Sequence, residues 1–327
     1  MTPLYPITFN PVFKERIWGG RSLETLYQKK LPPNAIIGES WEISDRPGDE
    51  SIIANGPLAG KNLRWLMENH GGDVLGNARP TADKRFPLLC KILDAREKLS
   101  LQVHPPADKA AELRGEPKTE MWYIADAIPG AELYVGLKRG VTRTEFENKI
   151  KTGGVAECFH RIPVRGGDTM FLPSGRVHAI GAGLVIFEIQ QNSDTTYRVY
   201  DWDRVGLDGK PRELHIPQSL ASIDFHDFEP PLAPATLTRT GNFEIRPLVR
   251  HSLFKVDVFH ALAKETVLFR QPRLRIVAVL EKKLTLTGGE VSVELHPGQF
   301  CLLSASLMEV AFAPEAGAGF LMIETGE

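Results

Sequence analysis

The sequence predicts a mainly β protein: two jelly-roll barrels in tandem, with short helices inserted into the first. Three observations carry that prediction. Short apolar segments alternate with turn residues along most of the chain, and 29 glycines and 24 prolines supply the turns. The Pro-rich stretch Phe228-Glu229-Pro230-Pro231-Leu232-Ala233-Pro234 reads as a linker. A weak internal repeat spans it, because Gly167-Asp168-Thr169-Met170-Phe171-Leu172-Pro173 is echoed by Gly298-Gln299-Phe300-Cys301-Leu302-Leu303-Ser304. The 327 residues suit two domains, placed at 1–227 and 236–327 with residues 228–235 between them.

Within the first domain, residues 38–44 alternate apolar with polar and read as a strand. Residues 62–75 carry Leu63, Leu66, Met67 and Val74 at helical spacing, with Asn62 as cap. Residues 86–103 read as two strands around the turn Asp94-Ala95-Arg96-Glu97. Pro105-Pro106 breaks the chain before a short helical stretch at 107–113. Residues 121–127 and 132–137 are strands with a Pro-Gly turn between them, and 142–151 is a short helix. Further strands fall at 170–172, 184–189 and 197–200. Beyond the linker, seven β segments have antiparallel hairpin spacing, with Gly288-Gly289 as one turn.

Composition excludes several classes of function. Apolar residues at 42% are enough for a sizeable core. Lys plus Arg is 39 and Asp plus Glu is 41, a net charge of -2, which argues against a general nucleic-acid binder. No run approaches the roughly 18 apolar residues of a membrane helix. Met1-Thr2-Pro3-Leu4-Tyr5-Pro6 lacks the basic start and apolar stretch of a signal peptide. Cys90, Cys158 and Cys301 are far apart and none sits in a CxxC, so neither a disulfide framework nor a cysteine zinc site is expected. A reducing cytoplasm is the simplest location.

Three segments hold residues that bind a divalent metal. In Leu101-Gln102-Val103-His104-Pro105, side chains two apart on a strand share a face, so Gln102 and His104 point together. Glu120 opens the apolar strand Met121-Trp122-Tyr123. Pro173-Ser174-Gly175-Arg176-Val177-His178 places a sharp turn before a histidine. Imidazole and carboxylate suit zinc, iron or manganese, and three strong ligands plus a weak one leave an open position. A lone QxH carries little weight; the joint spacing is similar to that of metal-binding cupin barrels. The second copy of the repeat has no histidine at the matching place, so chemistry belongs to the first barrel.

Several segments, in order along nearly the whole chain, resemble the type I mannose-6-phosphate isomerase family. They are Trp18-Gly19-Gly20, Gly38-Glu39-Ser40-Trp41-Glu42, Leu99-Ser100-Leu101-Gln102-Val103-His104-Pro105, Lys118-Thr119-Glu120-Met121-Trp122, and Thr195-Thr196-Tyr197-Arg198-Val199-Tyr200-Asp201-Trp202-Asp203-Arg204. The length matches the short bacterial form. The resemblance implies a double cupin-like fold and interconversion of mannose 6-phosphate and fructose 6-phosphate through an enediol. It implies one Zn2+ per chain on Gln102, His104, Glu120 and His178, with Arg198 as a catalytic residue. Lys118-Thr119-Glu120 departs from the Lys-Pro-Glu of longer members.

That reaction needs a base, an electrophile at the carbonyl and a phosphate anchor. Arg198 can hold phosphate or the developing enediolate with two parallel hydrogen bonds, or it pairs with Asp194, Asp201 or Asp203 at the surface. Lys118, two residues from Glu120, faces the site if extended, where a dication would lower its pKa towards that of a base; otherwise it is a solvated lysine. Lys91 is a charge inside an apolar strand, available to phosphate or paired with Glu39 or Asp94. Ser100 shares the face of Gln102 and Trp18 is offered as a cleft wall, with core or structural roles as the alternatives. Trp41 and Trp122 are wall candidates too, and Glu42 is a candidate support for the ligands. The partner is a small phosphosugar, with no nucleic acid or membrane, and a monomer is expected. The rival readings are an iron cupin dioxygenase and a non-enzymatic sugar-binding or regulatory cupin.

Overall fold

The computed structural model describes residues 4–270 and 272–326. The expectation for the extreme N-terminus falls partly on Met1–Pro3, outside them. The protein is mainly β, with strands stacked as four layers. A five-stranded sheet faces a six-stranded sheet in the first barrel, and an eight-stranded sheet faces a four-stranded one in the second. The six-stranded sheet runs Thr169–Leu172, Glu120–Ala127, Leu184–Gln191, Leu88–Ala95, Ile37–Ile43, Val12–Gly20. Facing it are Phe159–Pro163, Glu132–Leu137, His178–Ile180, Leu101–Val103 and Tyr197–Tyr200.

The central strands of the six-stranded sheet are buried on both sides, and their composition follows from that. Leu88–Ala95 is buried throughout. Leu88, Cys90 and Ile92 belong to the core shared with the second barrel, whereas Leu93 and Ala95 face the first barrel's interior. The shared core includes Phe187 stacked on Phe300 at 5.6 Å. The second barrel's own core holds Phe243, Phe259, Phe312 and Phe320.

Adjacent strands part between layers more often than their short turns suggest. Glu120–Ala127 and Glu132–Leu137 do not pair across their Pro-Gly turn; each joins a different sheet. Leu88–Ala95 and Leu101–Val103 separate in the same way. The first strand, Ile7–Asn10, pairs with Phe300–Leu303 at the register Ile7 to Leu302, so residues from the chain's beginning complete the second barrel's sheet. Asn62 caps helix Leu63–Leu75 by accepting from the Trp65 N–H, as expected. The Pro-rich segment lies against the first barrel, where the Ala233 N–H donates to the Thr169 carbonyl.

Gly19 shows why Trp18 is followed by two glycines. A Cβ on Gly19 would lie closer than 3.0 Å to the backbone of Gly38 on the neighbouring strand. Gly19→Ala should therefore force the two strands apart and destabilise the protein by about 1–3 kcal/mol. Gly71 has nothing within 4 Å of its would-be Cβ. Thermal melting of Gly19→Ala beside Gly71→Ala checks this, with only the first expected to melt early.

Candidate active site

Three side chains converge at one end of the first barrel, between its two sheets. His104 follows strand Leu101–Val103, His178 opens strand His178–Ile180, and Glu120 opens a strand of the opposite sheet. His178 stands opposite Gln102 in the register. Gly175 has a φ of 88°, and its N–H donates to the His104 carbonyl at 2.9 Å, so the glycine turn is what brings His178 alongside His104. Thr119 tethers the third element. Its N–H donates to Gln191 Oε1 at 2.9 Å and its hydroxyl accepts from the Ser174 N–H at 3.3 Å. A proline at that position could not make the first bond.

The donor atoms of His104, Glu120 and His178 all lie within 4.8 Å of one another, and all three residues are buried. His104 Nδ1–H donates to the Thr195 carbonyl at 2.8 Å and His178 Nδ1–H to the Arg176 carbonyl at 2.9 Å. Both rings thereby present an Nε2 lone pair to the Glu120 oxygens, at 3.5 and 3.4 Å. Burial, aided by the Lys118 charge, pushes His104 down to about 3, and burial lowers His178 too, so both are neutral. Burial would raise Glu120, but the Lys118 charge holds it well below the usual carboxylate range. His104 Nε2 and Glu120 Oε1 are buried without a hydrogen-bond partner. Orphaned acceptors aimed at one point fit a divalent cation.

Gln102 lies at the edge of this group, its Nε2–H donating to His178 Nε2 at 3.2 Å. Above it opens a cleft of about 580 Å³. Trp18, Lys91, Ser100, Gln102, Lys118 and Arg198 all line it. Ser100 donates to Gln102 Oε1 at 3.4 Å. Of the other tryptophans, Trp122 also lines the cleft, whereas Trp41 is buried behind it. Glu42 is not near the ligands: it points to the other side of the sheet and pairs with Lys29 at 2.7 Å.

Arg198 has none of the carboxylate partners that its neighbours offered. Among the described residues it forms no ion pair; its Nη1 donates to the Glu213 carbonyl at 2.8 Å, and its Nε is buried without a partner. Asp201 is taken by Arg204 and Arg212, and Asp203 by the Tyr200 hydroxyl. Lys118 is buried with its Nζ 2.9 Å from Glu120 Oε2. Burial would lower it, but Glu120 and Glu188 outweigh that and raise it, opposite to the shift expected of a base.

Lys91 lies between Glu39 at 3.5 Å and Glu188 at 3.4 Å. Glu39 also takes Arg16 at 2.7 Å and the Trp41 indole N–H at 2.7 Å, while Glu188 takes the Trp122 indole N–H at 2.9 Å. Sequence reasoning had Glu39 only as a partner for Lys91 and missed Glu188. The signal for Glu188 was a charge inside the otherwise apolar strand Leu184–Gln191, the same signal that marked Lys91. Burial would raise Glu39, but Lys91 and Arg16 bring it down to about 2 from an ordinary 4.5. Its folded pKa is depressed, so its stabilisation is full above pH 4.5 and is lost as pH falls towards 2. The loss is about 3 kcal/mol. Acid unfolding of Glu39→Gln beside the parent protein should show that this component is absent from the variant.

The model of the phosphomannose isomerase type I catalytic domain matches residues 7–145. Mannose-6-phosphate isomerase ManA of Bacillus subtilis (strain 168) is 37% identical over 314 residues, 93% of this chain and 94% of that protein. The crystal structure of the mannose 6-phosphate isomerase from Bacillus subtilis superposes with a TM-score of 0.89 at 32% identity, covering 98% of this chain and 100% of that one. A mannose 6-phosphate isomerase bound with zinc and yttrium shares the fold at 17% identity and a TM-score of 0.75, over 98% of this chain and 100% of that one.

Proposed function

We propose that this chain, which belongs to the type I phosphomannose isomerase family, interconverts mannose 6-phosphate and fructose 6-phosphate. The observation that carries the proposal is the pairing of a metal-ready His104–Glu120–His178 group with an Arg198 that has no carboxylate partner among the described residues, on the same cleft. A regulatory sugar binder has no use for orphaned ligand atoms, and an oxygenase has no use for a free guanidinium beside them.

His104, Glu120 and His178 would hold one divalent ion, with Gln102 as a fourth ligand once its amide turns to present Oε1. Two imidazoles and a carboxylate suit zinc. Such an ion supplies a Lewis acid for the sugar's O1 and O2 oxygens. Arg198 binds the anionic part of the substrate, phosphate or enediolate, through its fork of donors. Lys118, kept as an ammonium, donates a hydrogen bond to a sugar oxygen as negative charge grows there. Glu188 is the carboxylate placed to move the proton: it lies on the cleft wall, and burial together with the Glu120 charge raises its pKa. Trp18 walls the cleft, and Ser100 offers its hydroxyl to the sugar. Lys91 stays available to substrate only as a shared charge, because Glu39 and Glu188 already hold it.

A coupled assay of mannose 6-phosphate turnover tests this reading. Dialysis against a chelator should abolish activity and zinc should restore it, with one zinc per chain by metal analysis. His104→Ala should lose both the metal and the activity. Metal bound without turnover of this substrate would overturn the substrate, and purified protein that takes up no metal would overturn the ligand set.

Arg198→Ala should lower kcat/KM by about 10²–10³-fold, the range for loss of a charge-stabilising donor. Arg198→Lys should recover only part of it, since an ammonium cannot reproduce the fork. Steady-state kinetics on both variants, with zinc content measured alongside, separates this loss from loss of metal.

A further inference from the structure

We propose that the hairpin at residues 205–211 is an arm that completes the cleft and shields the reacting carbons from water, with Leu207 as its covering residue and Asp201 as the residue that positions it. The proposal rests on the isomerase reading above.

The argument starts where strand Tyr197–Tyr200 has delivered Arg198 to the cleft. The chain leaves that strand through Trp202 and Asp203, whose φ angles are 58° and 55°. Two successive residues in the left-handed region are costly when neither is glycine. Such a turn persists only where its surroundings over-determine it. Here they do. Trp202 Nε1–H donates to the Leu99 carbonyl at 2.6 Å, and the Lys98 ammonium lies 3.7 Å from the indole centre. The Tyr200 hydroxyl donates to Asp203 at 2.8 Å.

Asp201, only 4% exposed, then ties the two legs of the hairpin together. It takes Arg204, from the outgoing leg, at 2.8 Å, and Arg212, from the returning leg, at 2.6 and 2.5 Å. Between the legs, Val205 bridges Pro211 and the Gly206 N–H donates to the Lys210 carbonyl at 2.6 Å. The base of the hairpin is therefore held firmly, and its tip stands at the cleft.

Leu207 is on that tip. It lines the cleft, yet it is 65% exposed, and its neighbour Val205 is 52% exposed. Most of the cleft's other polar groups are charged, so a leucine there contributes nothing to binding an anion. It does have apolar surface to bury once a sugar fills the space beneath it. A strained turn and a double arginine clasp that hold an exposed leucine over the cleft are explained if the leucine closes on substrate.

The chemistry makes shielding measurable. In the aldose-to-ketose direction the C2–H electron pair becomes the C1–C2 double bond of the enediol, O1 gains a proton, and the base holds the proton from C2. In the second half O2–H loses its proton as the C2 carbonyl forms, and C1 takes the proton from the base. A base open to water exchanges that proton before returning it; a covered base returns it.

The test follows turnover of mannose 6-phosphate in D2O, with deuterium at C1 of fructose 6-phosphate read by NMR. It compares the zinc-loaded parent protein, Leu207→Ser, Leu207→Met and Asp201→Asn. Leu207→Ser should at least double the deuterium fraction and lower kcat by about ten-fold, a loss typical of a compromised lid. Its melting temperature should be unchanged because Leu207 is exposed. Leu207→Met should restore both readouts, and Asp201→Asn should shift both as Leu207→Ser does. Parent-level deuterium uptake and kcat in Leu207→Ser would overturn the arm alone, even if Asp201→Asn fails to fold. A parent protein whose product already carries freely exchanged deuterium would overturn it too. A parent protein that never turns over mannose 6-phosphate would overturn the isomerase reading, and the arm's role with it.

Discussion

Everything in the first barrel is arranged around one buried carboxylate. Removing a carboxylate from water costs several kcal/mol unless positive charge and hydrogen bonds replace the hydration. Glu120 has Lys118 on one oxygen and, on the other side, two imidazoles that offer lone pairs rather than protons. Backbone carbonyls at Thr195 and Arg176 fix those tautomers, so neither ring can turn a proton towards Glu120 without losing its own bond. The point where Glu120, His104 and His178 meet is thus electron-rich by construction. Such a point is stable when a cation occupies it, which is why a metal site is the reading the fold itself favours.

That constraint propagates across the sheet as alternating charge. Arg16 pairs with Glu39, Glu39 with Lys91, Lys91 with Glu188, and Lys118 with Glu120, while the Glu188 charge acts on Lys118. In a low-dielectric wall each charge needs a neighbour of opposite sign. Indole N–H groups from Trp41 and Trp122 supply the remaining donors to Glu39 and Glu188. The tryptophans of this wall therefore act as hydrogen-bond donors as much as apolar bulk. Removing a member takes one partner from each buried neighbour, so single substitutions there should disturb several side chains at once.

The mainly β class was legible in the sequence, and so was the local placement of several cleft residues. Two-residue spacing on a strand put Gln102 and His104 on one face, and Lys118 with Glu120, without knowledge of any partner strand. In the second barrel the hairpin around Gly288-Gly289 was legible for the same local reason, whereas strands Thr238–Thr240, Phe243–Arg250 and Val267–Phe269 were missed. The other expected hairpins do not form, because the strands they would join pair with non-consecutive partners. What local spacing could not supply was layer membership. A short turn after Ala127 looks the same whether Glu132–Leu137 folds back on its own sheet or crosses to the opposite one. The pairing of Ile7–Asn10 with Phe300–Leu303 joins residues nearly three hundred apart and leaves no local trace. Glu188 and Glu39 were hard to weigh for a related reason: their meaning depends on the register that sets Glu188 beside Lys91.

Arg198 shows how such non-local information decides function. Three aspartates stand within five positions of it, and sequence alone leaves a surface ion pair as good a reading as a substrate contact. In the structure two of those carboxylates are engaged elsewhere, which weighs against the ion pair. Asp201 is saturated by Arg204 and Arg212, and Asp203 accepts from Tyr200. Asp194 lies on the cleft and acts on Lys118. Arg198 has no carboxylate partner among the described residues, and its one side-chain hydrogen bond goes to the Glu213 carbonyl, which is the basis for proposing it as an anion contact. The acidic residues around Arg198 thus do not compete with substrate for it; by engaging the nearby arginines, Asp201 leaves Arg198 as the cation with capacity to spare.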